Sequence, residues 1–373
     1  MTRGAFFPLD SVCTVDYGTR VVQKRDGGSV YPVYGGGGAT FNVDSFNRED
    51  RLVVSRFGMS EECARFVCGK FFLNDSGLTV SARDGRLLSK FLDYQLLSKS
   101  AEIYSLGKGA AQKNLDVPAF RSLPMFIPDD LDAQHRIIAI LDEAFDGIAT
   151  AKANAEKNLQ NARALFESHL QSVFTERGEG WLETTLGDAY DVRDGTHDSP
   201  KYHTAGYPLI TSKNLKREGL SFDDVKLISE QDYNKINERS AVSRGDVLFA
   251  MIGTIGNPTL VEIEPNFAIK NVALFKNTKG QSGAFLKRYL DSGMVISKMM
   301  KEAKGTTQKF VGLGYLRGFP INLPPLLTQL KLVEELDELA LETQRLESLC
   351  QQKLAALDDL KKSLLHQAFS GQL

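Results

Sequence analysis

Residues 326–370 read LLTQLKLVEELDELALETQRLESLCQQKLAALDDLKKSLLHQAFS, a run that contains neither proline nor glycine. Apolar residues recur in it with alternating spacings of four and three, which is typical of a helix that packs along a second helix. The predicted seam consists of Leu332, Leu336, Leu339, Thr343, Leu346, Cys350, Lys353, Leu357, Leu360 and Leu364. The absence of helix breakers and this spacing predict one long helix.

A second run, residues 148–177, also lacks proline and glycine. The positions equivalent to the first seam are Ile137, Leu141, Ala144, Ile148, Ala151, Ala155, Asn158, Ala162, Leu165 and His169. One seam is rich in leucine and the other in alanine, so large side chains can pack over small ones. We therefore predict an antiparallel coiled coil; the alternative is that each helix packs separately on its own globular block.

The two helical runs belong to a longer internal repeat. KGAAQK at 108–113 returns as KGTTQK at 304–309, each at the end of a helical pattern. In-register matches continue downstream: Leu123 with Phe319, Pro128 with Pro324, Gln134 with Gln329, Leu141 with Leu336, and Phe174 with Phe369. The repeat predicts four segments, with globular blocks at 1–129 and 181–325 and helices at 130–180 and 326–373. Strand-like runs between turns make each block a mixed α/β domain.

Composition is that of a soluble multidomain protein: 373 residues, 42% hydrophobic and 25% charged. No apolar stretch reaches the roughly 18 residues of a membrane helix, and the first residues lack a signal-peptide core. Cys13, Cys63, Cys68 and Cys350 are scattered, which suits a reducing compartment and completes no zinc site. We expect a cytoplasmic protein without a membrane partner.

The net charge of −2 conceals a division along the chain. The two globular blocks carry a small excess of lysine and arginine, and the two helical segments carry an excess of aspartate and glutamate. A polyanion could therefore dock on the blocks without favouring the helices.

The whole pattern resembles the specificity subunit of a type I restriction-modification system. The C-terminal stretch from Leu323 carries the resemblance most specifically, and a weaker copy runs from Ile127 to Phe174. LGD at 186–188, RGDVLFAMIGTIGN at 244–257 and the two KGxxQK turns support it.

The resemblance implies two pseudo-symmetric target recognition domains, each of which reads one half of a bipartite, asymmetric site in double-stranded DNA. It implies that the coiled coil sets the spacing of the half-sites and holds two modification (methyltransferase) subunits, and that restriction (motor-nuclease) subunits then join. The chain itself would bind no cofactor. S-adenosylmethionine is expected on the methyltransferase partner, and ATP and Mg on the restriction partner.

Catalytic motifs of its own are not evident. Gly35–Gly38 lacks the strand–turn–helix context of a cofactor loop, and Asn322–Pro325 only partly matches a methyltransferase tetrad. Asp224 with Lys226 and Glu302 with Lys304 have nuclease-like spacing but are interpreted as solvated surface. His197 and His203 lack a third ligand at suitable spacing. We predict no catalytic and no metal site, which makes a self-contained enzyme the weakest hypothesis.

DNA contacts are predicted in loops that combine phosphate-binding cations with side chains able to read bases. In the second block they are Thr196, His197, Lys201, Tyr202, Lys213, Asn214, Lys216 and Arg217. In the first block they are Arg20, Gln23, Lys24, Arg25, Tyr34 and Gly36, where the glycines would let the backbone approach the duplex. A solvated loop is the alternative for each residue.

Two further sets are predicted. Lys108 and Lys304 could touch phosphates, although a turn shared by both halves explains their recurrence equally well. The outward acidic residues Glu334, Glu335, Glu338 and Glu342, with Asp337, form the predicted partner-binding face of the last helix. The competing interpretation of the whole chain is a coiled-coil scaffold or adaptor without sequence-specific DNA readout.

Overall fold

A computed structural model of the protein describes residues 3–176, 178–216, 218–306 and 308–370. The chain divides into two compact units. Unit 1 comprises residues 1–156 and 351–373, and unit 2 comprises residues 157–350. Within the described ranges, no helix is long and apolar enough to cross a membrane.

Unit 1 is built on a six-stranded sheet of order β2-β7-β5-β6-β3-β4, in which β3 and β6 are parallel and the other pairs antiparallel. Its strands are β1 (Gly4–Pro8), β2 (Cys13–Tyr17), β3 (Tyr31–Tyr34), β4 (Asn42–Val43), β5 (Arg48–Ser55), β6 (Ala64–Leu73), β7 (Gly77–Ala82), β8 (Gly107–Lys108), β9 (Asn114–Leu115) and β10 (Pro124–Pro128). Its helices are α1 (Leu9–Val12), α2 (Gln23–Asp26), α3 (Ser89–Ser98), α4 (Ser100–Ser105) and α5 (Val117–Arg121), followed by the start of the long helix α6 (Leu131–Thr175).

Unit 2 contains a four-stranded sheet of order β12-β20-β17-β18 and a three-stranded sheet of order β16-β13-β19. Its strands are β11 (Leu182–Thr185), β12 (Asp191–Asp194), β13 (Tyr207–Ile210), β14 (Leu215–Lys216), β15 (Gly219–Leu220), β16 (Lys226–Ile228), β17 (Val247–Ile252), β18 (Thr254–Leu260), β19 (Ala268–Ile269), β20 (Val272–Lys276) and β21 (Pro320–Leu323). Its helices are α7 (Leu186–Ala189), α8 (Glu230–Ser240), α9 (Gly283–Asp291), α10 (Gly293–Glu302) and α11 (Leu313–Arg317), followed by α12 (Leu326–Phe369).

The repeat that the sequence predicts is present in the structure, and two buried glutamines display it. In unit 1, Gln134 Oε1 accepts from Leu88 N–H (2.9 Å) and its Nε2 donates to the Arg86 carbonyl (2.7 Å). In unit 2, Gln329 Oε1 accepts from Ser282 N–H (2.9 Å). Leu88 and Ser282 are the residues that cap α3 and α9, so each long helix orients the helix that packs beside it.

The carboxyl ends of the long helices also occupy equivalent places. Phe369, at the end of α12, packs edge-on against Phe91 of α3 in unit 1, with ring centroids 5.1 Å apart. Phe174, at the end of α6, packs in the same way against Phe285 of α9 in unit 2, at 5.5 Å. Each unit is thus completed by the end of one long helix and the beginning of the other.

The two long helices pair in antiparallel fashion within each unit, as predicted. In unit 1, Lys361 Nζ lies 4.9 Å from the centre of the Phe145 ring, and Lys152 forms an ion pair with Asp358. In unit 2, Arg163 Nε contacts Glu347 Oε1 at 2.8 Å. As the residue number increases along α6, the residue number of its partner on α12 decreases, so the two helices run in opposite directions.

The predicted seam is correct only in part. In α12, Leu346 and Leu360 are 50% and 47% exposed, and Lys353 is also exposed, whereas Glu347, Leu354 and Lys361 are half-buried in their place. In α6 the seam follows the prediction to Ala155 and again at Ala162, but Leu159, Phe166 and Leu170 take the places of Asn158, Leu165 and His169. The predicted seam and the observed seam of α12 have every second position in common. Leucines occur at the positions that belong only to the predicted seam and also at those that belong only to the observed seam, so the sequence does not distinguish the two. The 3.6-residue turn also drifts against a strict seven-residue repeat.

Candidate nucleic-acid interface

The loops predicted to meet DNA in unit 2 are attached to one peptide group. Thr196 N–H donates to the Ile269 carbonyl (3.0 Å), and Lys270 N–H donates to the Ile210 carbonyl (2.8 Å). In a trans peptide the carbonyl and the N–H point in opposite directions. The Ile269–Lys270 peptide therefore lies between the loop that begins at Thr196 and the loop that follows Ile210.

Unit 1 repeats this construction. Thr19 N–H donates to the Leu73 carbonyl (2.9 Å), and Asn74 N–H donates to the Tyr34 carbonyl (2.7 Å). The loop that contains Arg20 and the glycine loop after Tyr34 are thus joined as their counterparts are in unit 2. We call Leu73–Asn74 and Ile269–Lys270 the crossing peptides.

A glycine is required immediately before the threonine at each crossing peptide. A Cβ atom on Gly18 would lie 2.0 Å from the Asn74 carbonyl oxygen, and one on Gly195 would lie 2.2 Å from that of Ile269. Such distances leave room only for glycine. Sequence reasoning missed this pair, although Gly18-Thr19 and Gly195-Thr196 are a shared signal.

His197 is held by polar neighbours at the unit 2 crossing peptide. Its Nδ1 lies 2.8 Å from Asn271 Oδ1 and its Nε2 lies 2.9 Å from Asp194 Oδ2, while the side chain remains 58% exposed. Arg239 also contacts Asp194. Asn271 adopts the left-handed conformation, with φ of 54°, which Asn tolerates better than most residues. Of this group only His197 was predicted. Arg239 and Asn271 lie far away in sequence, whereas Asp194 is only three residues before His197.

Thr196 also lines a surface cavity of about 240 Å³ together with Lys235 and Arg239. Nearby in sequence, Lys201 and Tyr202 are exposed, Tyr202 by 47%. Lys270 donates to Ser199 Oγ at 2.6 Å. Lys235 on α8 and Lys270 place two further cations beside this loop, and neither was among the predicted residues.

Asn214 differs from the expectation of a base-reading side chain. It is 5% exposed, its Oδ1 accepts from the backbone N–H and the hydroxyl of Thr211 (3.0 Å each), and its Nδ2 donates to the Ser221 carbonyl (3.1 Å). These bonds use the amide to shape the turn, which also receives a bond from Asn257 Nδ2 to the Leu215 carbonyl (3.0 Å). To pair with adenine, the Asn214 amide would have to give up its hydrogen bonds to Thr211 and Ser221.

The cations around Asn214 are placed differently. Lys213 and Lys216 are exposed, and Lys216 pairs with Gly219 in the hairpin of β14 and β15. Arg217 lies outside the described residues. The second loop therefore presents lysines from a turn that Asn214 stabilises.

In unit 1 the predicted cations are also exposed. Arg20 follows the Gly-Thr pair, and Gln23, Lys24 and Arg25 lie on the short helix α2. Arg25 forms an ion pair with Asp26 (2.9 Å), and this contact lowers the pKa of the Asp26 carboxyl.

The glycine run serves two purposes. Tyr34 packs edge-on against Phe71 (5.5 Å), and a Cβ on Gly36 would lie 2.2 Å from the Phe57 carbonyl oxygen. Gly37 and Gly38 have open space where a Cβ would be. The close backbone approach at Gly36 is thus to its own chain, and only the last two glycines leave room for a ligand.

The KGxxQK turns have a structural explanation. Gly109 and Gly305 have φ of 117° and 97°, and a Cβ on either would lie within 2.3 Å of a backbone oxygen. Lys108 forms an ion pair with Asp116 at 2.5 Å, which lowers the pKa of that carboxyl, and Lys304 pairs through its backbone with Phe310. A phosphate contact by either lysine stays a prediction.

The predicted partner-binding residues Glu334, Glu335, Glu338 and Glu342 are exposed on α12. Asp337, between them, accepts from Arg288 Nε at 2.8 Å and so serves unit 2 itself. Among the described residues, no group of three or more His, Cys, Asp or Glu side chains could hold a metal ion.

Comparison with known proteins agrees with this architecture. The family model for the type I restriction modification DNA specificity domain matches residues 5–160 and 178–355. The chain therefore belongs to the type I restriction-modification specificity-subunit family, as the resemblance predicted.

Individual relatives are distant. The EcoBI specificity subunit of Escherichia coli is 26% identical over 201 residues, which cover 52% of this chain and 42% of that protein. The EcoKI specificity subunit of E. coli K12 is 22% identical over 297 residues, covering 73% and 62%. The chain thus matches less than two thirds of the length of these relatives.

Solved structures share the fold. A chain from a study of complex assembly and conformational transition of the type I R-M system aligns over 100% of both chains, with a TM-score of 0.75 and 15% identity. The HsdS subunit of Thermoanaerobacter tengcongensis aligns over 99% of this chain and 97% of its own, with a TM-score of 0.61 and 16% identity.

Proposed function

We propose that this chain is the DNA-reading subunit of a type I restriction-modification complex, in which each unit reads one half of a bipartite, asymmetric site. The main observation behind this proposal is the crossing peptide. Each unit uses one to hold two loops, and the exposed side chains of these loops differ between the units. One backbone construction with two sets of side chains suits the recognition of two unlike half-sites.

The long helices have the matching role in this proposal. A helix of 45 residues is about 65 Å long. A paired rod of this kind would set the distance between half-sites, and the exposed acidic face at Glu334, Glu335, Glu338 and Glu342 would meet two methyltransferase subunits. Restriction subunits would then join the assembly.

The chain would contribute recognition rather than chemistry. S-adenosylmethionine would bind the methyltransferase partner, and ATP and Mg would bind the restriction partner. The complex would act on double-stranded DNA in the cytoplasm.

Genome-wide methylation, mapped by long-read sequencing in the host with and without this gene, tests the proposal. The expected result is the loss of one split motif with a fixed spacer. Re-expression of the gene from a plasmid should restore that motif. An unchanged map in a host that expresses the methyltransferase partner would contradict the proposal and favour the coiled-coil adaptor.

A further inference from the structure

The backbone of Arg56 in unit 1 is held on both sides by hydrogen bonds, close to the crossing peptide. It directly follows strand β5, its N–H donates to the Ser76 carbonyl (2.8 Å), and its carbonyl accepts from Leu115 N–H (2.8 Å). Leu115 lies just after the KGAAQK turn, so Arg56 is fixed between that turn and the turn that follows β6. A side chain on such a support loses little freedom on binding.

The guanidinium of Arg56 lies between two aromatic rings. Its Cζ is 5.0 Å from the centre of the Tyr17 ring and 4.6 Å from that of Phe57. The rings are 41% and 38% exposed, so both rings are accessible to a ligand that approaches Arg56. In the described part of the chain, no carboxylate lies within ion-pair distance of this guanidinium.

Tyr17 also lies close to Arg121. The neighbouring Tyr17 side chain raises the pKa of Arg121, and Arg121 Nη1 donates to Asp10 Oδ1 (3.0 Å). Two arginines of unit 1 are therefore neighbours of this ring.

Arg56 also lies where the two predicted DNA loops of unit 1 meet. Gly18 N–H donates to the Gly77 carbonyl (3.1 Å), and Gly36 N–H donates to Ser76 Oγ (3.3 Å). Arg56 Nη1 approaches the Asp75 carbonyl of the same turn at 3.4 Å. The segment Asn74–Gly77 thus joins Arg56 to both loops.

A guanidinium held between rings presents a planar edge with several N–H donors. Such an edge matches the O6 and N7 acceptors of guanine in the major groove, and Arg rather than Lys can make both bonds in one plane. Arg56 Nη1 already donates to the Asp75 carbonyl at 3.4 Å, so Nε and Nη2 are the donors that remain for a base while the rings orient the plane.

We propose that Arg56 is a specificity-determining residue of unit 1 that reads a guanine, with Tyr17 and Phe57 as positioning residues. This inference rests on the proposed function. The sequence offered little sign of it, since Arg56 lies between the run LVVS at 52–55 and Phe57-Gly58 rather than in a basic cluster.

The test compares Arg56→Lys and Arg56→Gln with the wild type, each expressed with its methyltransferase in a host that lacks the gene. The wild-type methylation map supplies the motif, and duplexes with single-base changes in that motif then serve as binding probes. For Arg56→Lys we expect one guanine in one half of the motif to lose its discrimination, which is roughly 5- to 150-fold in the wild type. The other half should keep its sequence.

Two results would overturn the inference. If Arg56→Lys keeps the motif while Arg56→Gln weakens binding to all duplexes equally, Arg56 contacts a phosphate. If both variants keep motif and affinity, Arg56 touches no DNA. A wild-type complex without any split motif would instead overturn the proposed function, so the two failures are distinguishable.

Two further variants separate recognition from folding. Arg86→Lys changes an exposed arginine of the same unit that pairs with Asp84, and it should keep the full motif. Phe57→Leu retains Arg56 but removes one ring, and we expect discrimination at the same guanine to fall by roughly 3- to 10-fold. Unchanged discrimination in Phe57→Leu would remove the positioning role.

Discussion

The two units use the same backbone at the end of their central strand but place different side chains there. In unit 1 this position is Arg56, between two exposed rings. In unit 2 it is Met251, whose carbonyl likewise accepts a bond from the chain after the turn (Val311 N–H, 3.0 Å) but whose side chain is only 4% exposed. Unit 2 carries its polar group at Asp194 instead, the counterpart of Tyr17. The hydrogen-bonded framework is duplicated, and the chemistry attached to it is not.

The largest expected difference between the units is in their response to pH. Asp93 on α3 is 7% exposed, and burial raises its pKa to about 7, although Arg51 opposes the shift. The equivalent residue on α9 is Lys287, which is half-buried. The unfolded chain loses the Asp93 proton near pH 4 and the folded chain near pH 7, so the stability of unit 1 should fall as the pH rises between these values.

Replacing Asp93 with Asn should remove this dependence. We expect Asp93→Asn to gain up to about 4 kcal/mol over the wild type at pH 8 and almost nothing at pH 4. Urea unfolding followed at both pH values measures the difference. The matched change in unit 2, Lys287→Gln, should show no such trend, and an equal gain for Asp93→Asn at both pH values would contradict the assignment.

The buried glutamines offer a comparison in which the units should behave alike. Gln134→Leu and Gln329→Leu each leave a backbone N–H donor and a backbone carbonyl without their side-chain partner; these bonds are part-buried in unit 1 and buried in unit 2. Each variant should lose about 2–4 kcal/mol of unfolding free energy. Gln351→Leu, on an exposed position of α12, is the control and should change stability by less than about 0.5 kcal/mol. Variants at Gln134 and Gln329 that match this control would show that the capping contact is dispensable.

Substitution of the two glycines, Gly18 and Gly195, tests whether each crossing peptide needs the close backbone contact that glycine allows. Gly18→Ala and Gly195→Ala force the backbone apart, and we expect each to cost about 1–3 kcal/mol. Gly37→Ala, where a Cβ meets open space, should be nearly neutral. Methylation mapping of the two variants should show weaker recognition of different halves of the motif. Equal weakening of both halves by Gly18→Ala would argue against independent units.

The smallest expected effect concerns the ion pairs between the long helices. Arg163→Ala with Glu347→Ala, combined in a double-mutant cycle, should give a coupling of about 0.2–1 kcal/mol. The same cycle on Lys152 and Asp358 should give a similar value in unit 1. Both should shrink in 1 M salt, where charges are screened within about 3 Å. A coupling that is insensitive to salt would indicate packing rather than charge.

The sequence predicted the repeat and the long helices because their signals are periodic and local. The heptad phase escaped prediction at Leu346 and Leu360, since leucines occupy both phases and only the partner helix selects between them. The assignment of the loops around Thr196 and Lys216 to DNA rests on their composition and stays a prediction. Asn214 shows the limit of that approach, because its hydrogen bonds to Thr211 and Ser221 arise only once the turn has formed.

The contacts that organise the site were not predictable from composition. The crossing peptides depend on backbone atoms, and Arg239 and Asn271 join Asp194 and His197 from two distant parts of the chain. Arg56 gains its significance from Tyr17, which is far away in sequence. Long-range pairing of this kind leaves no local pattern in the residues that take part.

Because unit 1 contains the end of α12, the order of translation determines when its core can be completed. Unit 2 is one continuous stretch of chain, 157–350, but the core of unit 1 includes Leu365 and Ala368 together with residues that are translated long before them. Unit 1 therefore leaves the ribosome first and completes its core last. Until residues 351–370 emerge, the apolar surface around Phe91 stays uncovered. During that interval the nascent chain is prone to aggregation, and a chaperone that covers this surface would protect it.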